Sequence, residues 1–301
     1  MIFVRNFLVL ADDFSSFGIR STISMKKLPI LRYLASAILP FLAMASAANG
    51  ALVLYYNFDS DTGANGSSAI NSAGGTNGTY RQGTTTPIGT TTLIASQAGV
   101  FGTNSGTVGG KALSLTPNNN GDENVAPPHI DTNAAASVFG FINAVNSDYT
   151  AMAWVRFANQ TGDNMVFGQG DGNRLHLGSR GNQYWSGHWN DDLGAGGTDT
   201  GNWHHVAWTN ANNGTQEIFV DGTSIGTRTD AIFGEFNSAN NLLIGTSGNS
   251  GSFSGLIDEV KVFDTRLTAA EIQAASVIVP EPGAVILGLF GVAGLLLRRR
   301  R

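Results

Sequence analysis

The sequence predicts an all-β fold, a two-sheet antiparallel sandwich of the jelly-roll type, on the strength of two observations. Between residues 51 and 275, short apolar runs are separated by clusters of Gly, Asn, Ser and Asp, a pattern typical of strands and turns rather than of alternating strands and helices. Charged residues make up 13% of the 301 positions, whereas glycine occupies 39. Exposed helices favour Glu, Lys and Arg, so this composition excludes an all-helical protein.

The apolar runs predict a series of strands and one closing helix. The clearest hairpin is Val220-Asp221-Gly222, because Asp-Gly readily adopts the positive φ values of a type I′ turn. A helix is predicted over 268–275, where Thr268 caps the first turn and Glu271 follows three residues later. Segments 83–92 and 117–128 are predicted to be loops. The predicted strands are 52–57, 111–115, 149–157, 164–168, 175–177, 183–189, 203–209, 215–220, 242–244 and 256–263.

Charge and cysteine content exclude several classes of function. The net charge of −5 leaves no basic face for a nucleic acid, and the absence of cysteine excludes disulfides, thiolate metal sites and a cysteine nucleophile. The basic residues concentrate at the two apolar ends, so the body between them is strongly acidic. This distribution is typical of an exported bacterial protein. Halophilic surface charge and simple solubility are alternative explanations of the acidity.

The N-terminal region has the features of a secretory signal over residues 25–47. Lys26 and Lys27 precede a largely apolar stretch, and Ala45-Ser46-Ala47 suits the shallow pockets of signal peptidase, which places the mature start near Ala48. Residues 1–24 contain two aspartates and do not fit a signal, so we interpret them as an upstream extension from a misplaced start codon. An unusually long signal and a permanent membrane anchor are the alternatives.

The C-terminal region, residues 276–301, combines three features in a fixed order. Pro280-Glu281-Pro282 is followed by an apolar segment from Ala284 to Leu297 and then by four arginines. At about 1.5 Å per residue the apolar segment is roughly 21 Å long, short against a hydrocarbon core of about 30 Å. The arrangement resembles the PEP-CTERM sorting signal of Gram-negative bacteria. This resemblance implies transient anchoring in the inner membrane, recognition by an exosortase, and release to the cell surface or extracellular polysaccharide. A plain C-terminal anchor is the alternative.

Seven short segments of the body, taken in order, resemble the LamG-like (concanavalin A-like) jelly roll of exported bacterial proteins. The resemblance covers residues 48–275 and implies two stacked antiparallel sheets. The chain departs from the pattern in a long insert over 116–147, which we expect to alter one rim of the sandwich. The matching segments are Tyr55-Tyr56-Asn57-Phe58-Asp59 and those at 110–115, 149–155, 201–207, 218–222, 253–260 and 267–272.

Asp258 is the most informative acidic position. Strand alternation places it on one face with Leu256, Val260 and Val262, where an ionised carboxylate is costly unless it is paired or bound to a metal. Related sandwiches often bring an acidic residue after the first strand close to such a position, and hard oxygen ligands suit Ca²⁺. Asp59 and Asp258 are therefore the predicted calcium ligands. The alternative is that Asp258 accepts backbone N–H bonds and tightens a turn.

The segment 184–192 concentrates aromatic and polar side chains, as saccharide recognition requires. Flat aromatic faces pack against the C–H surfaces of a sugar, while Asp, Asn and His bond its hydroxyls. Because neighbouring residues alternate faces, we expect Trp185 and Trp189 to lie in the core, and Tyr184 and His188 to lie at the surface. Core packing of both tryptophans without any ligand is the alternative. The predicted ligand-binding residues are Tyr184, His188, His176, Asp191 and Asp192.

No catalytic machinery is visible. The Glu-x-Asp-x-Glu and Glu-x-Asp-x-x-Glu patterns of related β-glucan hydrolases are absent, and so is a His-x₃-His zinc pair. His204 and His205 alternate faces, and an inward histidine in such a strand is more often a hydrogen-bonded core residue than a catalyst. We therefore predict a non-catalytic module that binds polysaccharide or a surface protein. A structural coat protein and a glycoside hydrolase with an unrecognised carboxylate pair are the alternatives.

Overall fold

A computed structural model describes residues 50–82, 90–95, 111–116, 127–169, 175–188, 191–232, 239–248 and 251–276. The proposed signal peptide, the upstream extension, the sorting signal from residue 277 onwards and Trp189 lie outside the described residues. Among the described residues, no helix has the length and apolar character needed to cross a membrane.

The described residues form two antiparallel sheets, which confirms the predicted sandwich. The strands of sheet A are β1 (Leu52–Tyr56), β4 (Thr90–Ala95), β5 (Lys111–Thr116), β7 (Tyr149–Phe157), β12 (His204–Asn210), β13 (Gln216–Val220), β14 (Thr223–Arg228) and β16 (Gly255–Phe263). They follow the order β14-β13-β12-β7-β16-β5-β4, with β1 paired to β16. The strands of sheet B are β2 (Ser68–Ala69), β3 (Gly78–Arg81), β6 (His129–Ala135), β8 (Asp163–Gln169), β9 (His176–Arg180), β10 (Gln183–Gly187), β11 (Leu193–Ala195) and β15 (Asn241–Ile244). They follow the order β11-β10-β9-β8-β15-β6-β3-β2.

The core lies between the inner faces of the two sheets. Each strand contributes alternate side chains to it, as the period of two in an extended chain dictates. Sheet A contributes Val155, Trp208 and Ile218 among others, and sheet B contributes Val166 and Leu177 among others. Part of the outer face of sheet A is also buried, under a helix α1 (Ala269–Ala275) whose Ile272 packs against a separate cluster that includes Met152 and Phe219.

Two elements follow the local sequence signals closely. Thr268 caps α1 by accepting the Glu271 N–H, and Glu271 reaches back to the Thr268 N–H, so the predicted capping box is confirmed. Asp221 and Gly222 have φ values of 50° and 77° between paired β13 and β14, which confirms the predicted hairpin. A second tight turn, which we did not predict, joins β9 to β10 through Gly181 and Asn182, also at positive φ.

Two predictions about loops are wrong. Segment 116–147 is not an insert that alters a rim, because it contains β6, which lies between β15 and β3 in sheet B, and a 3-10 helix at Ala136–Phe139. The loop predicted over 83–92 includes the start of β4, whose Thr-rich sequence has β propensity but no apolar alternation. Residues 83–89 and 117–126 lie outside the described residues.

Candidate functional site

The last strand of sheet A carries a bulge that changes the predicted position of Asp258. Asp258 pairs with Trp154 and Lys261 with Met152, so one extra residue is accommodated between them, and Glu259 adopts a φ of 52°. The extra residue moves Asp258 to the outer face of the sheet, whereas Val260 and Val262 point into the core. The prediction that these residues share one face is therefore wrong. Asp258 is fully buried and accepts the backbone N–H of Glu259 at 2.8 Å. This is the kind of bond expected from the alternative to calcium binding, in which Asp258 accepts backbone N–H groups.

The oxygens around this bulge are already bonded to protein donors. Asp59 Oδ1 accepts the Lys111 N–H at 3.0 Å, and the Lys111 ammonium donates to the Asp61 carbonyl at 2.8 Å. The Glu259 carboxylate accepts the Tyr55 hydroxyl at 2.9 Å and the Lys261 ammonium at 2.7 Å. The described residues contain no group of three His, Cys, Asp or Glu side chains arranged to hold a metal. A calcium ion at Asp59 and Asp258 would have to share these bonds, and its binding stays a prediction.

Four of the five predicted ligand-binding residues meet at one end of the sandwich, where β10 ends and β7 begins. His188 Nε2 lies 2.7 Å from the Tyr149 hydroxyl, and its backbone N–H donates to Asp192 Oδ1. His176 Nε2 lies 3.6 Å from the same Asp192 oxygen. Asp191 is 5% exposed and accepts the Arg228 guanidinium at 3.0 Å. We call this arrangement the closed end, because His176, His188 and Asp191 are all buried.

Burial controls the charge at the closed end. The pKa of His188 is lowered to about 3, first by desolvation and then by the nearby His176 and Arg228. The imidazole is therefore neutral near pH 7 and forms one hydrogen bond with the Tyr149 hydroxyl. A neutral, buried histidine of this kind holds the sheets together and does not reach a ligand from solvent. His188 had been predicted at the surface, and that placement is wrong.

The structure reverses the predicted faces of β10. Tyr184 is 3% exposed and packs edge-on against Phe157 in the main core, although it had been predicted at the surface. Trp185, which had been predicted in the core, lies on the outer face of sheet B and is half-buried. The reason is visible in its neighbours. Trp185 pairs with Gly178 and Gly194 on the adjacent strands, and a Cβ atom on Gly194 would lie 2.7 Å from the indole, so the missing side chain of Gly194 leaves room for the ring on the outside.

Trp185 belongs to an outer-face cluster that sequence reasoning missed. The Arg180 guanidinium carbon lies 5.0 Å from the centroid of the indole. Arg180 donates through two nitrogens to the two Asp163 oxygens, at 2.9 and 2.8 Å. Gln183 pairs with Arg180 across the turn and is exposed on the same face. The Gly-Asn turn is readable in the sequence and could have identified the β9–β10 hairpin, but the pairing of Trp185 with Gly194 is known only from the sheet.

The opposite end of the sandwich holds a histidine between two carboxylates. His204 Nδ1 lies 2.8 Å from Asp221 Oδ2, and its Nε2 lies 3.2 Å from Asp199 Oδ1. The hydrogen bond to Asp221 is the first cause of a raised pKa for His204. We call this arrangement the open end, since the Asp199 side chain is 47% exposed. The neighbouring His205 points to the outer face of sheet A, where burial lowers its pKa to about 3.

The two stacked antiparallel sheets define a jelly-roll sandwich. A family model described as the concanavalin A-like lectin/glucanases superfamily matches residues 128–273. No curated protein has a sequence that matches this chain.

One solved structure shares this fold at low sequence identity, and two further solved structures are more distantly similar. Domain 4 of AbnA, a GH43 extracellular arabinanase from Geobacillus stearothermophilus solved with arabinotriose, is 18% identical with a TM-score of 0.52, and the match covers 75% of this chain and 98% of that one. Trypanosoma rangeli sialidase is 14% identical with a TM-score of 0.47, over 82% of this chain and 38% of that one. The binding domain of Paraclostridial Mosquitocidal Protein 1 is 15% identical with a TM-score of 0.45, over 75% and 51%.

Proposed function

We propose that this chain is an exported, non-catalytic binding module that recognises carbohydrate or, as the second choice, a surface protein. The observation that carries the proposal is an aromatic and polar face on a sandwich that matches the lectin/glucanase superfamily over 128–273. The arabinotriose complex of the AbnA domain is an example of a sugar bound to a protein of this fold. Fold alone does not determine function, so binding itself has to be measured.

Export and sorting form the second part of the proposal. The signal at residues 25–47 and the Pro280-Glu281-Pro282 tail support passage across the inner membrane of a Gram-negative bacterium, with signal peptidase and an exosortase as processing partners. The expected location is the cell surface or the extracellular polysaccharide. The test is the intact mass of the secreted product. A mass that corresponds to a chain starting near Ala48 and lacking the four terminal arginines supports the proposal. A mass that corresponds to a chain with those arginines contradicts sorting.

Binding is tested on a glycan array with the protein expressed from residue 48 to residue 276, with added calcium and with EDTA. We expect binding to at least one glycan class, and binding in calcium alone would support the prediction for Asp59 and Asp258. No binding in either condition would contradict a lectin-like function. Release of reducing ends from a bound polysaccharide would contradict the non-catalytic assignment and favour a glycoside hydrolase.

A structural coat protein is the third candidate, and one observation weighs against it. That function requires no ligand face and is expected to bury both tryptophans of the 184–192 segment. Trp185 is only half-buried, and Trp189 lies outside the described residues. Sedimentation of the same protein distinguishes the candidates, because a coat protein is expected to self-associate in the absence of glycan.

A further inference from the structure

We infer that the ligand site is the outer-face cluster Asp163, Arg180, Gln183 and Trp185, and that it takes the rings of a neutral polysaccharide. The inference rests on the proposed carbohydrate binding and makes it specific. It also replaces the residues predicted from the sequence, because Tyr184, His176, His188 and Asp191 are buried and Asp192 is engaged at the closed end.

The first step of the argument is the surroundings of the indole. A Cβ atom built on Gly194 would lie 2.7 Å from Cζ3 of Trp185, so the ring lies against the bare backbone of β11. The indole Nε1 is buried, and the exposed part of the side chain therefore consists of ring carbons. The Arg180 guanidinium lies over the same indole, so the exposed ring carbons and the guanidinium form one surface that can meet the C–H groups and the hydroxyls of a sugar.

The second step is the rigid polar group beside the indole. Arg180 uses Nε and Nη2 for Asp163, which leaves the Nη1 donors free for another partner, and each Asp163 oxygen retains a lone pair. A two-bond guanidinium–carboxylate pair is planar and fixed in geometry. It presents a donor and an acceptor side by side, as two neighbouring hydroxyls of a sugar ring require. The exposed Gln183 amide adds one further donor and acceptor on the same face.

The third step is the charge of the cluster. The Arg180 and Asp163 charges cancel within the pair, and Asp192 adds a negative field at Arg180 that contributes to its raised pKa, after the larger effect of the Asp163 hydrogen bond. The whole chain carries a net charge of −5. No excess positive charge is left at the cluster to attract a uronate or sulfate. The geometry therefore favours a neutral glycan over a polyanionic one.

The experiment is affinity electrophoresis of the protein through gels containing neutral arabinan, neutral β-glucan or alginate. We expect wild-type retardation in at least one neutral gel and none in alginate. Trp185→Ala should weaken that binding by about tenfold or more, as loss of a central aromatic contact does. Trp185→Phe should restore part of it, and Arg180→Lys should weaken it, because lysine cannot form the two-bond pair. Val138→Ala, at an exposed apolar residue on a 3-10 helix, is the matched control.

Each outcome has a distinct meaning. If the wild type binds no glycan in the gels or on the array, the proposed function fails. If the wild type binds and Trp185→Ala binds equally well, the function stands and the site assignment is wrong. Stronger retardation in alginate than in the neutral gels overturns the ligand class. Thermal unfolding of each variant shows that a loss of binding is not a loss of folding.

Discussion

At each end of the sandwich one histidine has a shifted pKa, and the two shifts have opposite directions. At the closed end, His188 is buried against Tyr149, and desolvation lowers its pKa to about 3. At the open end, the hydrogen bond to Asp221 is the first cause of the raised pKa of His204. Because Tyr149 pairs with Asn210 and Val155 pairs with His204, the two sites lie at opposite ends of the same two strands.

The comparison shows that surroundings, not residue type, determine what a histidine does in this fold. The polar groups of the closed end are buried and bond to one another, so this end stabilises the sandwich through packing and buried hydrogen bonds. The open end keeps its charges half-exposed, so each contact there is screened by solvent. The two ends should therefore respond differently to mutation, to pH and to salt.

The largest expected effect comes from removing the half-buried cation of the closed end. Arg228→Met leaves the carboxylate of Asp191, which is 5% exposed, without its guanidinium, although the Ile232 N–H still donates to it. We expect a loss of about 3 kcal/mol in the free energy of unfolding, because a buried charge that loses its ion-pair partner is strongly destabilising. Chemical denaturation measures it. The matched variant at the open end, Asp199→Asn, should cost less than about 1 kcal/mol. Equal losses would contradict the distinction between the ends.

The second effect is a loss of stability in acid that depends on the closed end. Since the folded pKa of His188 lies below the unfolded value of about 6.5, the unfolded state binds more protons, and stability falls as pH falls below 6.5. Between pH 6.5 and 4.5 this amounts to roughly 2–3 kcal/mol. His205, whose pKa is also about 3, adds a similar contribution. His188→Gln should therefore reduce the loss of stability between pH 6.5 and 4.5 in part. An unchanged loss of stability in acid would show that His188 does not titrate as described.

The sequence predicted the fold class and the central strands, but not the surroundings of the site residues. The 149–157 run, the Asp221-Gly222 turn and the Thr268 capping box all act over a few residues, so local rules predicted them correctly. The face of Trp185 depends on which residues lie opposite it in β9 and β11, and that register is set by the whole sheet. The bulge after Asp258 likewise shifts the alternation of one strand in a way that composition does not reveal.

A third, smaller effect is expected at helix α1, which serves as a reference for both ends. Helix α1 starts near Thr150, whose hydroxyl accepts the Leu267 N–H, and it ends near the Gly222 turn. Thr268→Ala removes the capping box and should cost about 1 kcal/mol, by the same amount at every pH between 5 and 8. The measurement is denaturant unfolding at three pH values, with Thr268→Ser as the conservative control. A pH-dependent cost would mean that the helix is coupled to one of the histidine sites.

The smallest effect is a loss of stability in mild alkali that depends on the open end. The raised folded pKa of His204 means that its contribution is fully present below the unfolded value of about 6.5 and is lost as pH rises through the folded value. Asp221 works in the same pair: burial alone would raise its pKa, but the bonds from His204 and the His205 N–H hold it below the ordinary range. The thermal midpoint should therefore fall as pH increases from 6.5 to 9, and less steeply in high salt, because the carboxylates are half-exposed. His204→Asn should abolish this fall of the thermal midpoint between pH 6.5 and 9 and leave the loss of stability in acid unchanged. A slope that survives the substitution would contradict the assignment of charge to the open end.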